Sequence, residues 1–66
     1  MSHTYEVFVD IREFNGLTNT LARLLSARYE VDAESKVKAD YTARTRAESD
    51  YPKATEYDVR VTRLLH

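Results

Sequence analysis

The 66-residue chain contains no cysteine and no tryptophan, and it has one glycine and one proline. Without cysteine there is neither a disulfide staple nor a thiolate metal site, and the composition points to a reducing compartment, the cytoplasm of a cell or of an infected host. A single glycine cannot build a phosphate-cradling loop. The two histidines, His3 and His66, sit at the chain ends, where chains fray. A histidine-based catalytic or metal site is therefore not expected, and no cofactor is implied. No apolar run approaches the ~20 residues of a membrane-spanning helix. The opening "MSHTYEVFVD" lacks the basic-then-apolar pattern of a signal peptide. Charge of one sign is also missing: 10 basic and 11 acidic side chains leave a net charge of −1, whereas a dedicated nucleic-acid binder carries a positive excess or a basic stripe.

What is present suits one small domain spanning residues 1–66. A chain of this size buries only about 60% of its unfolded surface, so its stability margin is thin. In "TYEVFVDIR" the odd positions Tyr5, Val7, Val9 and Ile11 are apolar, and the even positions Glu6, Asp10 and Arg12 are charged, with Phe8 the exception. That alternation, with β-branched and aromatic residues, predicts a half-buried strand. Asn15-Gly16 follows, a strong signal for a type I′ hairpin turn.

The next stretch carries two periods. Leu17, Leu21, Leu24 and Leu25 lie at helical spacing, with Thr18 or Asn19 available as a cap. From Ala27 to Ala33, Ala27, Tyr29, Val31 and Ala33 alternate with charged residues. Residues 27–33 are predicted as strand. Residues 18–26 read either as a short extra helix or as the irregular start of that strand, and the turn signal favours a strand beginning near Leu21.

Residues 36–47 pose the same question. Odd positions from Val37 to Ala47 are small or apolar apart from Thr45, as in a strand. Yet Ala39, Ala43 and Ala47 recur every fourth residue, as in a helix. A strand here would need a turn from Ala33-Glu34-Ser35-Lys36, which has poor turn chemistry. A helix needs only a cap, which Asp32 or Ser35 supplies. Glu34–Lys38, Asp40–Arg44 and Arg46–Asp50 are opposite charges four apart, and Pro52 ends the run. The helix prevails, with an alanine stripe for close approach to a sheet. Val37 and Tyr41 stand off that stripe, to pack at an edge or face a partner. Tyr57, Val59 and Val61 alternate with Asp58, Arg60 and Thr62 as a last strand. The expected fold is α+β: a three-stranded sheet with one covering helix, in the order strand, strand, helix, strand, with the first strand in the middle.

No catalytic constellation emerges. Asp32 and Glu34, or Asp10 and Asp58, are acids that can meet across strands, but they are interleaved with basic residues on an open face, and so small a core leaves little room for a water-excluding pocket. The chain therefore does not read as an enzyme. Arg44, Arg46, Arg60 and Arg63 with Tyr41 make a nucleic-acid surface the weaker alternative, since the arginines alternate with acids and Tyr5, Tyr29 and Tyr57 share the apolar parity of their strands. The favoured class is a protein-binding module. The uncovered sheet face would carry Glu6, Phe8, Asp10 and Arg12, with Arg28, Glu30, Asp32, Asp58, Arg60 and Thr62. Glu6, Asp10, Asp58, Arg60 and Arg63 are the expected contact residues. Self-association through an open edge or through that face is a third reading.

The segment "RYEVDAESKVKADYTARTRAESDYP" followed by "YDVRVTRLL" resembles, in layout, the small phage-encoded inhibitors of bacterial RNA polymerase and similar phage accessory proteins. The shared features are a strand ending in Ala-x-Ser, a helix with alanines every four residues, a closing Tyr-Pro and a final Val-x-Val strand. The resemblance covers residues 28–65. It implies two strands, a helix and a last strand, and docking on a host protein, RNA polymerase among them, through charged residues. Arg60 and Arg63 would be the matching arginines of the last strand.

Overall fold

The computed structural model describes residues 3–17 and 20–66. Strand β1 (His3–Asn15) leads to β2 (Thr20–Ala33), helix α1 (Lys36–Asp50) follows, and β3 (Glu56–Leu64) completes the sheet. β1 lies in the middle, antiparallel to both neighbours, so the strand order is β2-β1-β3. The expected α+β architecture and the central first strand are both present.

Local chemistry decides the 36–50 segment in favour of a helix. Ser35 is the N-cap, and its Oγ accepts from the Lys38 N–H at 3.3 Å. Two of the three i,i+4 pairs form: Lys38 Nζ to Glu34 at 3.2 Å and Arg44 Nη2 to Asp40 at 3.5 Å. The third does not. Arg46 instead donates to the Glu30 carbonyl at 3.3 Å, and Asp50 accepts from the Tyr29 hydroxyl at 2.8 Å. Those bonds tie the helix to β2. The Tyr51 N–H closes the last turn on the Ala47 carbonyl at 2.8 Å, and Pro52 has no N–H to continue it.

Ala39, Ala43 and Ala47 are fully buried, against Val7, Val9, Ile11 and Val31 of the sheet. A methyl group is the largest side chain that keeps this helix close enough to exclude water from the valines beneath it. Tyr29, Tyr51, Tyr57, Val59 and Val61 close the margins of this layer.

The leucine-rich stretch departs from one of its two readings. Residues 20–26 are extended, not a short helix; Thr18 and Asn19, the suggested caps, lie outside the described residues. The cause of the misleading spacing is a β-bulge. Pairing passes from Glu13↔Arg23 to Phe14↔Leu21, so Ala22 is an extra residue on β2. The insertion puts Leu21 and Leu24 on one face although they are three apart, a spacing that otherwise marks a helix. The two-residue turn is also longer than expected. Asn15 pairs with Thr20 rather than across Asn15-Gly16, and the Asn15 Oδ1 accepts from the Leu17 N–H at 2.9 Å as an Asx turn.

Strand and helix lengths differ in a way that shapes the molecule. Thirteen extended residues of β1 reach about 43 Å, while fifteen helical residues reach about 22 Å. The core accordingly stops at Ile11. Beyond Arg12↔Glu56 the central strand pairs with β2 alone, so residues 13–15 and 20–23 project as a two-stranded ribbon with Leu24, opposite Arg12, at its base. The molecule measures 47 × 16 × 15 Å.

Candidate functional site

The side of the sheet away from α1 is assembled by register. On β1 it carries Glu6, Phe8, Asp10, Arg12 and Phe14, one residue out of step with the buried Val7, Val9 and Ile11. β2 adds Arg28 opposite Phe8, Ser26 opposite Asp10, Leu24 opposite Arg12 and Leu21 opposite Phe14. β3 adds Arg60 opposite Phe8, Asp58 opposite Asp10 and Arg63 opposite Glu6. Residues that face each other across a ladder share a face. All five expected contact residues, Glu6, Asp10, Asp58, Arg60 and Arg63, are therefore brought together.

They are not free charges. Glu6, almost buried, is held from both sides: the Thr62 hydroxyl donates at 2.7 Å, Arg28 Nε at 2.9 Å and Arg63 Nε approaches at 3.3 Å. The Thr62 and Arg28 bonds, then the Arg63 charge, hold its carboxyl below the ordinary range. Asp10 accepts from the Ser26 hydroxyl at 2.7 Å and from Arg60 Nη2 at 3.3 Å. Its pKa is lowered, by the Ser26 bond first and then by Arg60 and Arg12. Arg12 reaches Asp58 at 3.4 Å. Each of these pairs joins two strands, so the lattice of charges also pins the register of the sheet.

Asp10 and Asp58 do stand directly opposite each other. Asp10 is nevertheless shifted down, by the Ser26 bond first and then by the arginines beside the pair, which favour the ionised form. Among the described residues, no group of three or more histidine, cysteine or carboxylate side chains is placed to hold a metal ion, and no helix is long and apolar enough to cross a membrane.

Arg44, Arg46 and Tyr41, the nucleic-acid alternative, do not form a stripe. The Thr55 N–H donates to the Arg12 carbonyl and the Leu65 N–H to the Thr4 carbonyl, so even-numbered residues of β1 aim their backbone groups at β3. By ladder alternation between the two register shifts, Tyr57, Val59 and Val61 of β3 and Ser26, Arg28 and Glu30 of β2 aim theirs outward. The Tyr57 and Glu30 carbonyls are thus edge groups. Arg44 Nη1 donates to the first at 3.2 Å and Arg46 Nη1 to the second at 3.3 Å. The two arginines reach opposite edges of the sheet, each capping one carbonyl. Tyr41 stays 71% exposed on the β3 side of the helix.

Sequence reasoning missed the far end of the uncovered face. Phe14, Leu21 and Leu24 cluster there on the projecting ribbon, with Leu21 46% and Leu24 60% exposed. A bulge was the only device that could place these leucines together on a strand, and alternation alone does not reveal one. No family model, no curated protein and no solved structure matches the chain.

Proposed function

We propose that the chain is a small, non-enzymatic protein-binding module of a phage that docks on a host protein through the uncovered sheet face. The carrying observation is the division of that face into two zones. Near the body, the charges are neutralised by partners within the chain. On the ribbon, Phe14, Leu21 and Leu24 form an apolar patch on the face opposite the helix. Apolar anchors supply most of the energy of an interface, and a surrounding charge pattern chooses the partner and orients it. In this reading Phe14, Leu21 and Leu24 are the anchors, and Asp58, Arg60 and Arg63 at the β3 side are the selective rim. Glu6 and Asp10 hold those arginines in place.

The test is retention of a partner from bacterial lysate at physiological salt by the wild type and by two variants, followed by a direct binding measurement with purified RNA polymerase. Leu21→Lys with Leu24→Lys should abolish retention, and Arg60→Ala with Arg63→Ala should reduce it, with the fold intact in both. Equal retention by all three proteins, or none by the wild type, would refute the reading. Binding to DNA or RNA that falls steeply with added salt would replace it with the nucleic-acid alternative.

A further inference from the structure

We infer that two copies of the chain join through the outer edge of β3, antiparallel about a twofold axis at Val59, into a six-stranded sheet. The inference does not depend on the role of the uncovered face, which stays open on the far side of such a sheet.

The edge itself is the first ground. Val59 and Val61 aim their backbone groups outward, and among the described residues no hydrogen bond from the rest of the chain reaches them. Arg44 holds the Tyr57 carbonyl, but a carbonyl has a second lone pair. Charge then selects the register. With Val59 opposite itself, Asp58 faces Arg60 of the second copy and Arg60 faces its Asp58, while Tyr57 faces Val61. Centring on Asp58 or on Arg60 instead would set like charges directly opposite, which is destabilising. The chosen register makes about six backbone hydrogen bonds between copies.

The helix supplies the second ground. A groove of about 540 Å³ runs along β3 between helix and strand, lined by Lys36, Val37, Asp40, Tyr41, Arg44 and Val61. Tyr41 lines the groove together with Val61, two residues along β3 from the twofold at Val59. In the joined sheet, three strand spacings of about 4.8 Å separate the two central strands. Helices seated over those strands would stand about 14 Å apart, wider than the 8–10 Å of direct helix packing. Val37 and Tyr41 of both copies fill that gap. This explains why two large apolar side chains, 79% and 71% exposed, stand on a helix otherwise buried through alanine.

The β2 edge offers no such fit. On that side the helix presents Arg46 to the Glu30 carbonyl and Asp50 to the Tyr29 hydroxyl, a polar margin where the β3 side has Val37 and Tyr41.

The experiment is light scattering of the full chain across a wide concentration range, with Val37→Asp/Tyr41→Asp compared by circular dichroism and scattering. Because the chain has no cysteine, Val59→Cys and, at the β2 edge, Ser26→Cys report their own pairing on oxidation. The expected result is a wild-type dimer, a folded monomeric Val37→Asp/Tyr41→Asp variant, and a disulfide-linked Val59→Cys dimer with none for Ser26→Cys. A wild-type monomer at the highest concentration, a double variant as dimeric as the wild type, or cross-linking at Ser26 in preference to Val59 would overturn the proposal.

Discussion

Val7, Val9 and Ile11 look toward the helix; Glu6, Phe8, Asp10 and Arg12, one residue out of step on the same strand, look away. On the first side, three alanine methyl groups press a helix onto valine and isoleucine, and water is excluded. On the second, ion pairs and hydroxyl bonds cross from strand to strand in contact with solvent. Stability per residue belongs to the covered side, because apolar burial is worth more than surface ion pairs. The uncovered side contributes register and chemical identity. A sheet built this way can alter its exposed surface without dismantling its core.

The comparison can be broken from the covered side with the largest effect. Ile11→Ala leaves a cavity under the helix and should cost about 2–5 kcal/mol, read as a lower urea midpoint. Ala43→Leu replaces a methyl by an isobutyl group between helix and sheet and should cost about 1–3 kcal/mol by the same assay. Such losses are large for a domain of this size.

On the uncovered side, Glu6→Gln should cost less than Ile11→Ala but change the response to acid. A carboxylate with a depressed folded pKa contributes stability that is present above its ordinary value near 4.5 and is lost as pH falls through the folded value. The wild type should therefore destabilise below that ordinary value, and the glutamine variant should show a flatter profile in pH-dependent thermal melts. Leu21→Lys with Leu24→Lys comes last. Both positions are exposed, so the melting curve should shift by no more than about 0.5 kcal/mol per site, even though the proposed docking is lost.

The layout was readable where one period ruled. Alternation from Tyr5 to Ile11, broken only at Phe8, and from Ala27 to Ala33 gave two strands, and the alanine stripe with Asp32 or Ser35 as cap gave the helix. The same parity assigned the uncovered face, since register follows once the buried side is known. Reading failed where an insertion or a long-range contact intervened. The Ala22 bulge lent residues 18–26 a helical spacing beside the favoured strand reading, which the structure bears out from Thr20, and it hid the Phe14–Leu21–Leu24 patch. Arg46 and Asp50 were spaced to pair with each other, yet each found a partner on β2. Single-sequence spacing cannot see a carbonyl or hydroxyl brought close by the fold.

The central claim is that one side of this sheet is dry and the other is open, and solvent paramagnetic relaxation measures that difference atom by atom. With a soluble gadolinium chelate added, the methyl signals of Leu21 and Leu24 should broaden strongly, while those of Val7, Val9, Ile11 and Val31 stay sharp. Equal protection of both sets would mean that something covers the second side, and the proposed docking surface would not exist.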